Sequence, residues 1–329
     1  MSKASLPLPP LRLLLLGYGH VAQAFLPLLA SRSIWLGHTF ETCPVISGIG
    51  TRNQGFYISH DGFSPDKLVD SHDPLRRFQS EGMRVENVEA FIAEGKSLGA
   101  SVLIELTTLN PKDGQPALTY IRQALEADMH VITANKGPVA YAQTELQALA
   151  RQHKVQFRFE STVMDGFPLF NLAQFTLPTV GVQSFRALLN TTSSLVLGRI
   201  GAGASLDEAI LEAQQLGVAE ANPWYDLGGW DAAMKTTILA NTLLKGHLTP
   251  QEVQREGIRD LSLENIRAAA RAGSPFHLVS SAKRKNGIIF AEVRPERIST
   301  HDILHTNETT TSVISVSYTH LRAHETGRN

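Results

Sequence analysis

The chain has 329 residues, 43% hydrophobic and 19% charged, long enough to bury a large core and to make two domains. Lys and Arg number 30 against 31 Asp and Glu, a formal net charge of -1, which excludes a global basic field for holding nucleic acid or anionic lipid. The single cysteine, Cys43, excludes an internal disulfide and a Cys-rich metal cluster and fits a reducing, cytoplasmic setting. The opening Met1 to Pro10 lacks a signal-peptide core, and Leu13 to Leu16 is too short to cross a bilayer, so no membrane role is expected.

In chain order, Leu11 to Leu16 is a continuous apolar run ending at Gly17, the pattern of a central parallel strand covered on both faces. Val21, Ala22, Phe25, Leu28 and Leu29 follow at helical spacing, with Pro27 expected to kink or shorten that helix. Val45 to Ile49 predicts the next strand. The alternation returns with strand Val102 to Leu106, helix Pro116 to Ala127, strand Val131 to Thr133, helix Tyr141 to His153 and strand Val155 to Phe159. Such alternation predicts an α/β first domain, a doubly wound parallel sheet over residues 1–150. Longer helical patterns then dominate, at Leu206 to Leu216, Asp231 to Leu244 and Leu263 to Ala272, with strands near Val182 to Leu189 and Ile288 to Val293. They predict a second, α+β domain over 151–294, a return toward the first domain over 295–316, and a polar tail over 317–329 that looks like non-native adapter sequence.

Gly17-Tyr18-Gly19-His20-Val21-Ala22 fits G-x-G-x-x-A directly between a strand and a helix, the context of a Rossmann-type dinucleotide site. Glycines let the backbone approach a pyrophosphate, and unpaired N–H groups at the helix start attract its charge. The acidic residue that usually meets the ribose 2′-hydroxyl is replaced by Thr51-Arg52; Arg52 could pair with a 2′-phosphate, which tilts the expected cofactor, NAD or NADP, toward NADP. An exposed loop arginine is the alternative. Asp231 and Lys235, four apart on a predicted helix, share one face, with Glu220 and Asp226 in the glycine-containing loop before them. Three carboxylates and an amine could hold a zwitterionic amino acid and deliver a proton to a developing alkoxide.

Three segments resemble homoserine dehydrogenases: Val131-Ile132-Thr133-Ala134-Asn135-Lys136-Gly137-Pro138, Glu160-Ser161-Thr162-Val163-Met164-Asp165-Gly166, and Gly217-Val218-Ala219-Glu220 through Asp226 to Lys235. The likeness runs over about residues 10–316, in a short form without a regulatory domain. It implies NAD(P)-dependent interconversion of L-homoserine and L-aspartate 4-semialdehyde by a homodimer. By this resemblance Lys235 is the proton donor, with Lys136 the second candidate, and Glu220, Asp226, Asp231 and Thr192 bind substrate. The glycine motif and the resemblance together imply that Gly17, Gly19, His20, Val21, Ala22, Arg52, Thr107, Lys136 and Gly217 meet the cofactor, and the resemblance implies a sodium site at Glu160, Val163, Asp165 and Phe167.

The chain departs from the family at Thr191, often glycine there, and at Asp165, where a small residue is usual. The family's closing glycine-rich turn and last helix have no counterpart after Val316. Two other readings stay open: a Rossmann oxidoreductase of another small amino or semialdehyde acid, and an inactive NAD(P)-binding protein.

Overall fold

The computed structural model describes residues 8–71, 73–164, 166–306 and 310–317, and its contacts divide the chain into two units, before and after the Thr162/Val163 junction. The first contains β1 (Pro10–Leu16), α1 (His20–Phe40), β2 (Cys43–Thr51), β3 (Gly55–Phe63), α2 (Pro65–Asp70), α3 (Pro74–Glu81) and β4 (Met83–Val85). It continues with α4 (Val88–Ser97), β5 (Val102–Glu105), α5 (Ala117–Glu126), β6 (His130–Thr133), α6 (Lys136–Gln152) and β7 (Phe157–Arg158). This unit runs past residue 150, the expected boundary, because β7 still pairs with β6.

The strands lie in the order β4-β3-β2-β1-β5-β6-β7. From β2 to β7 neighbours are parallel, as the alternating pattern predicts. At one edge the sheet differs from that expectation: β2 turns directly into β3, and β4, which follows α2 and α3, pairs with β3, both as antiparallel neighbours. Successive leucines of β1 face opposite layers. Leu13 and Leu15 pack with Leu26 of α1, Leu68 of α2 and Phe78 of α3, whereas Leu14 meets α4, where a Cβ on Gly95 would stand 2.5 Å from its side chain. All four leucines from Leu13 to Leu16 are at most 4% exposed. Burying each such side chain contributes about 1.5–3 kcal/mol, which makes β1 the axis of the unit.

Pro27 does not shorten α1, which runs 21 residues through it. Leu26 is buried in the core, and Phe25 and Leu29 pack against it, so tertiary packing on both sides of the proline outweighs the lost hydrogen bond. α6 begins five residues before the expected Tyr141, because Asn135 caps it by accepting from Gly137 N at 3.1 Å.

The second unit holds α7 (Leu169–Asn171), β8 (Val182–Leu188), α8 (Thr191–Gly201), α9 (Leu206–Gln215), α10 (Trp224–Leu227) and α11 (Trp230–Leu243). There follow β9 (Gln254–Arg255), α12 (Leu263–Arg271), β10 (Phe276–Lys285), β11 (Ile288–Arg297) and β12 (Ser312–Ser317). Its sheet has the order β12-β8-β10-β11-β9, antiparallel except for β9 beside β11. Residues 295–316, expected to begin a return to the first domain, instead supply the end of β11 and most of β12. The ladder from Ser312↔Leu188 to Ser317↔Val182 commits β12 to the second sheet. Of the expected tail, Ser317 belongs to β12, and 318–329 lie outside the described residues. α11 packs on β10 and β11 and is buried on nearly every side, which its Ala232, Ala233 and Ala240 permit. No described helix is long and apolar enough to cross a membrane.

Candidate active site

In the first unit, the carboxyl ends of β1 and β5 are adjacent, the point where the strand order reverses and where open α/β sheets bind ligands. Gly17 leaves β1 at φ 99°, and a Cβ there would lie 2.4 Å from Leu106 O, so only glycine fits the turn. A Cβ on Gly19 would meet nothing within 4 Å. Gly19 starts α1 with no side-chain cap, so His20, Val21 and Ala22 open a helix whose first N–H groups have no capping side chain, an arrangement suited to a pyrophosphate. Ala22 is fully buried against the sheet, while Val21 is 57% exposed.

Val21, Thr107, Ala134, Asn135 and Lys136 line one small cavity, so the structure brings together the glycine turn, the loop after β5 and the head of α6. Beside the turn, on the α1 face, a broader cleft is lined by Tyr18, Gln23, Gln54 and Asp73 among others. Burial and the Asp73 carboxylate push the Tyr18 phenol above its ordinary range. Arg52 is exposed in the turn joining β2 to β3.

Sequence reading missed Glu105, the last residue of β5, which is fully buried. Its Oε1 accepts from Thr107 N at 2.8 Å and Thr107 Oγ1 at 2.5 Å, and its Oε2 from Thr133 Oγ1 at 2.6 Å. Burial pushes this carboxyl up, while the donors from Thr107, Thr133 and Asn135 oppose the rise. A lone acid closing an apolar strand was the available signal.

In the second unit, β8 ends beside Leu189 and Asn190, and Asn190 caps α8 by accepting from Ser193 N at 2.8 Å. Its Nδ2 donates to Asp226 Oδ1 at 2.8 Å and to Asp231 Oδ2 at 2.9 Å. Lys235 Nζ lies 3.3 Å from Asp231 Oδ2, one helical turn away as the spacing predicts, and donates to Leu189 O at 2.8 Å. The Lys235 side chain is 17% exposed and that of Asp231 6%, so neither belongs to a solvated surface pair. An ammonium has three donors, and these bonds leave one for a ligand. Asn190 is the second residue that sequence reading missed; an Asn before a helical run is a cap signal, but its second task depends on residues 36 and 41 positions later.

Thr192 is buried in α8 and donates to Val218 O at 3.0 Å, tying α8 to the loop after α9. Gly217, at φ 69°, ends α9 in a left-handed turn. Glu220 is exposed, and its main-chain oxygen accepts from Gln214 Nε2 at 3.2 Å. Of the expected sodium ligands, Glu160 opens a short 3-10 turn at the end of the first unit. Val163 is buried and Phe167 37% exposed in the second unit, and Asp165 lies outside the described residues.

The homoserine dehydrogenase family model matches residues 168–324. The NAD(+)-dependent homoserine dehydrogenase of Pseudomonas canavaninivorans is 36% identical over 312 residues, covering 92% of this chain and 86% of that protein. The chain belongs to the homoserine dehydrogenase family. The Methanocaldococcus jannaschii homoserine dehydrogenase is 30% identical, over 82% of this chain and 80% of that protein. The crystal structure of a homoserine dehydrogenase from Thiobacillus denitrificans matches with a TM-score of 0.77 at 25% identity, covering 94% of this chain and 66% of that one. Homoserine dehydrogenases are NAD(P)-linked oxidoreductases of a CH–OH group in a small molecule, which suits the uncapped glycine turn of one unit and the acid and amine cluster of the other.

Proposed function

We propose that this chain interconverts L-homoserine and L-aspartate 4-semialdehyde with NAD(P), acting in the cytoplasm as a homodimer. The observation that carries the reading is the cluster of buried Asn190 and Asp231 with half-buried Asp226 and Lys235. Its two carboxylates suit the α-ammonium of an amino acid. The donor left on Lys235 suits an oxygen that gains charge as the aldehyde is reduced, and the ammonium both stabilises that charge and protonates it. Asp231 and Leu189 O hold the ammonium in place. Glu220 and Thr192 belong to the substrate side, Thr192 by shaping the loop at Val218.

Gly17, Gly19, His20, Val21, Ala22 and Thr107 would hold the dinucleotide, which supplies or takes up the hydride when bound, and Gly217 is assigned to the same ligand. Lys136, heading α6, is the second candidate for the proton. Arg52 favours NADP by its charge, whereas the Pseudomonas relative is named NAD(+)-dependent. Sodium is part of the reading, and replacing sodium salts with choline salts tests it. The deciding measurement is homoserine oxidation followed by absorbance of the reduced cofactor, with NAD and NADP in parallel. Turnover with either supports the reading, and cofactor binding without turnover of homoserine overturns it.

A further inference from the structure

The carboxylate of Glu105 has no place in the proposed chemistry, being fully shielded from solvent. It nevertheless closes a ring of bonds under the cavity described above. Glu105 receives Thr107 N, Thr107 Oγ1 and Thr133 Oγ1; Thr133 Oγ1 in turn accepts from Asn135 N at 2.9 Å. Asn135 Nδ2 donates to Thr107 O at 3.2 Å, and Asn135 Oδ1 accepts from Gly137 N. Through one side chain, the loop after β5 is thus fixed to the end of β6 and to the head of α6. Thr107, Ala134, Asn135 and Lys136, all lining the cavity, lie on these tied segments.

We infer that Glu105 is a positioning residue for the dinucleotide, holding the two loops that form the cofactor-facing wall while touching no ligand itself. This rests on the proposed NAD(P) site. The ring has a direction: Asn135 N–H donates to the Thr133 hydroxyl, which donates to the carboxylate, and Thr107 sends two donors to the other oxygen. Only an acceptor on both oxygens satisfies all of them, and an ionised carboxylate is the side chain that offers this. The groups around it are Leu16 on β1, Thr133 on β6, Thr107 and Asn135, none of which titrates in the accessible range. Lys136 is the next charged residue along α6, and the influences on the Glu105 carboxyl are burial and these neutral donors. Protonation would therefore slacken the wall at a pH above the ordinary carboxylate range.

Binding of NADH and NADPH by fluorescence titration of the full chain, across pH, tests this. Glu105→Ala is expected to weaken binding about tenfold to a hundredfold, the effect of losing charge-assisted bonds, with the homoserine KM changed less than about twofold. Glu105→Gln keeps an acceptor for Thr107 but sets an amide donor against Thr133 Oγ1, so it should recover only part of the loss. The wild type should lose affinity on the acid side, and Glu105→Gln should not. Unchanged binding by Glu105→Ala, a homoserine KM that rises in step, or an acid limb kept by Glu105→Gln overturns the assignment. Should Glu105→Ala not fold, Thr133→Val removes one donor at nearly constant shape. It must show the same selective weakening, smaller in size, and unaltered affinity counts against the role. A wild type that binds dinucleotide but leaves homoserine unoxidised defeats the proposed activity and leaves Glu105 to be judged on affinity; one that binds no dinucleotide defeats both.

Discussion

Glu105 and Asp231 are both buried carboxylates, one in each unit, and they are kept there by opposite means. Glu105 is surrounded by hydroxyls and amides with no cation in the ring, whereas Asp231 has an ammonium at 3.3 Å beside the Asn190 amide. Neutral donors arranged about a charge fix main-chain geometry, so the first arrangement makes a rigid wall. An ammonium with a donor to spare can take part in proton transfer, so the second suits the proposed reactive centre.

Removing the cation should break this contrast most. Lys235→Ala is expected to lower kcat about 10²–10⁴-fold, the usual range for an acid–base group. It also removes the ammonium beside the buried Asp231, a loss of about 3 kcal/mol. Steady-state kinetics and a thermal melt check both, and wild-type kcat in Lys235→Ala would move the proton role to Lys136. Next in size is Asn190→Ala, which takes one donor from each aspartate and the cap from α8. The homoserine KM should rise about tenfold, with about 1 kcal/mol lost from the melt and dinucleotide affinity unchanged.

The smallest effect sharpens the comparison by using a buried base. His277 on β10 is 7% exposed; burial and nearby His305 lower its pKa from 6.5 to about 4. The folded protein keeps this ring neutral where the unfolded chain takes up a proton. Stability is therefore complete above about 6.5 and declines as pH falls toward about 4. His277→Leu should flatten that part of the Tm against pH curve by a few degrees, and an unchanged slope would refute the assignment.

The central features of both regions were legible because they are local. The run Leu11 to Leu16, Gly17-x-Gly19 and the buried Ala22 encode strand, turn and helix within a dozen residues, and the Asp231 and Lys235 spacing is one helical turn. The β3 and β4 extension was not legible: Ser59-His60-Asp61-Gly62 interrupts the apolar alternation of β3, and β4 has only three residues. β10 was hidden because six of its ten residues are polar, and its strand state comes from pairing with β8 and β11. The Glu105 ring and the two-acid grip of Asn190 depend on long-range partners, which periodicity does not carry.

The bond from Ser193 N to Asn190 Oδ1 makes the start of α8 part of the proposed substrate site. The same amide group that begins the helix orients both aspartates, so every molecule in which that first turn has frayed lacks an organised acid pair. Apparent affinity for the amino acid is then the intrinsic affinity multiplied by the fraction of molecules with the turn closed. Hydrogen exchange at one main-chain amide, that of Ser193, would report this fraction directly, making substrate recognition measurable as the local stability of a helix end.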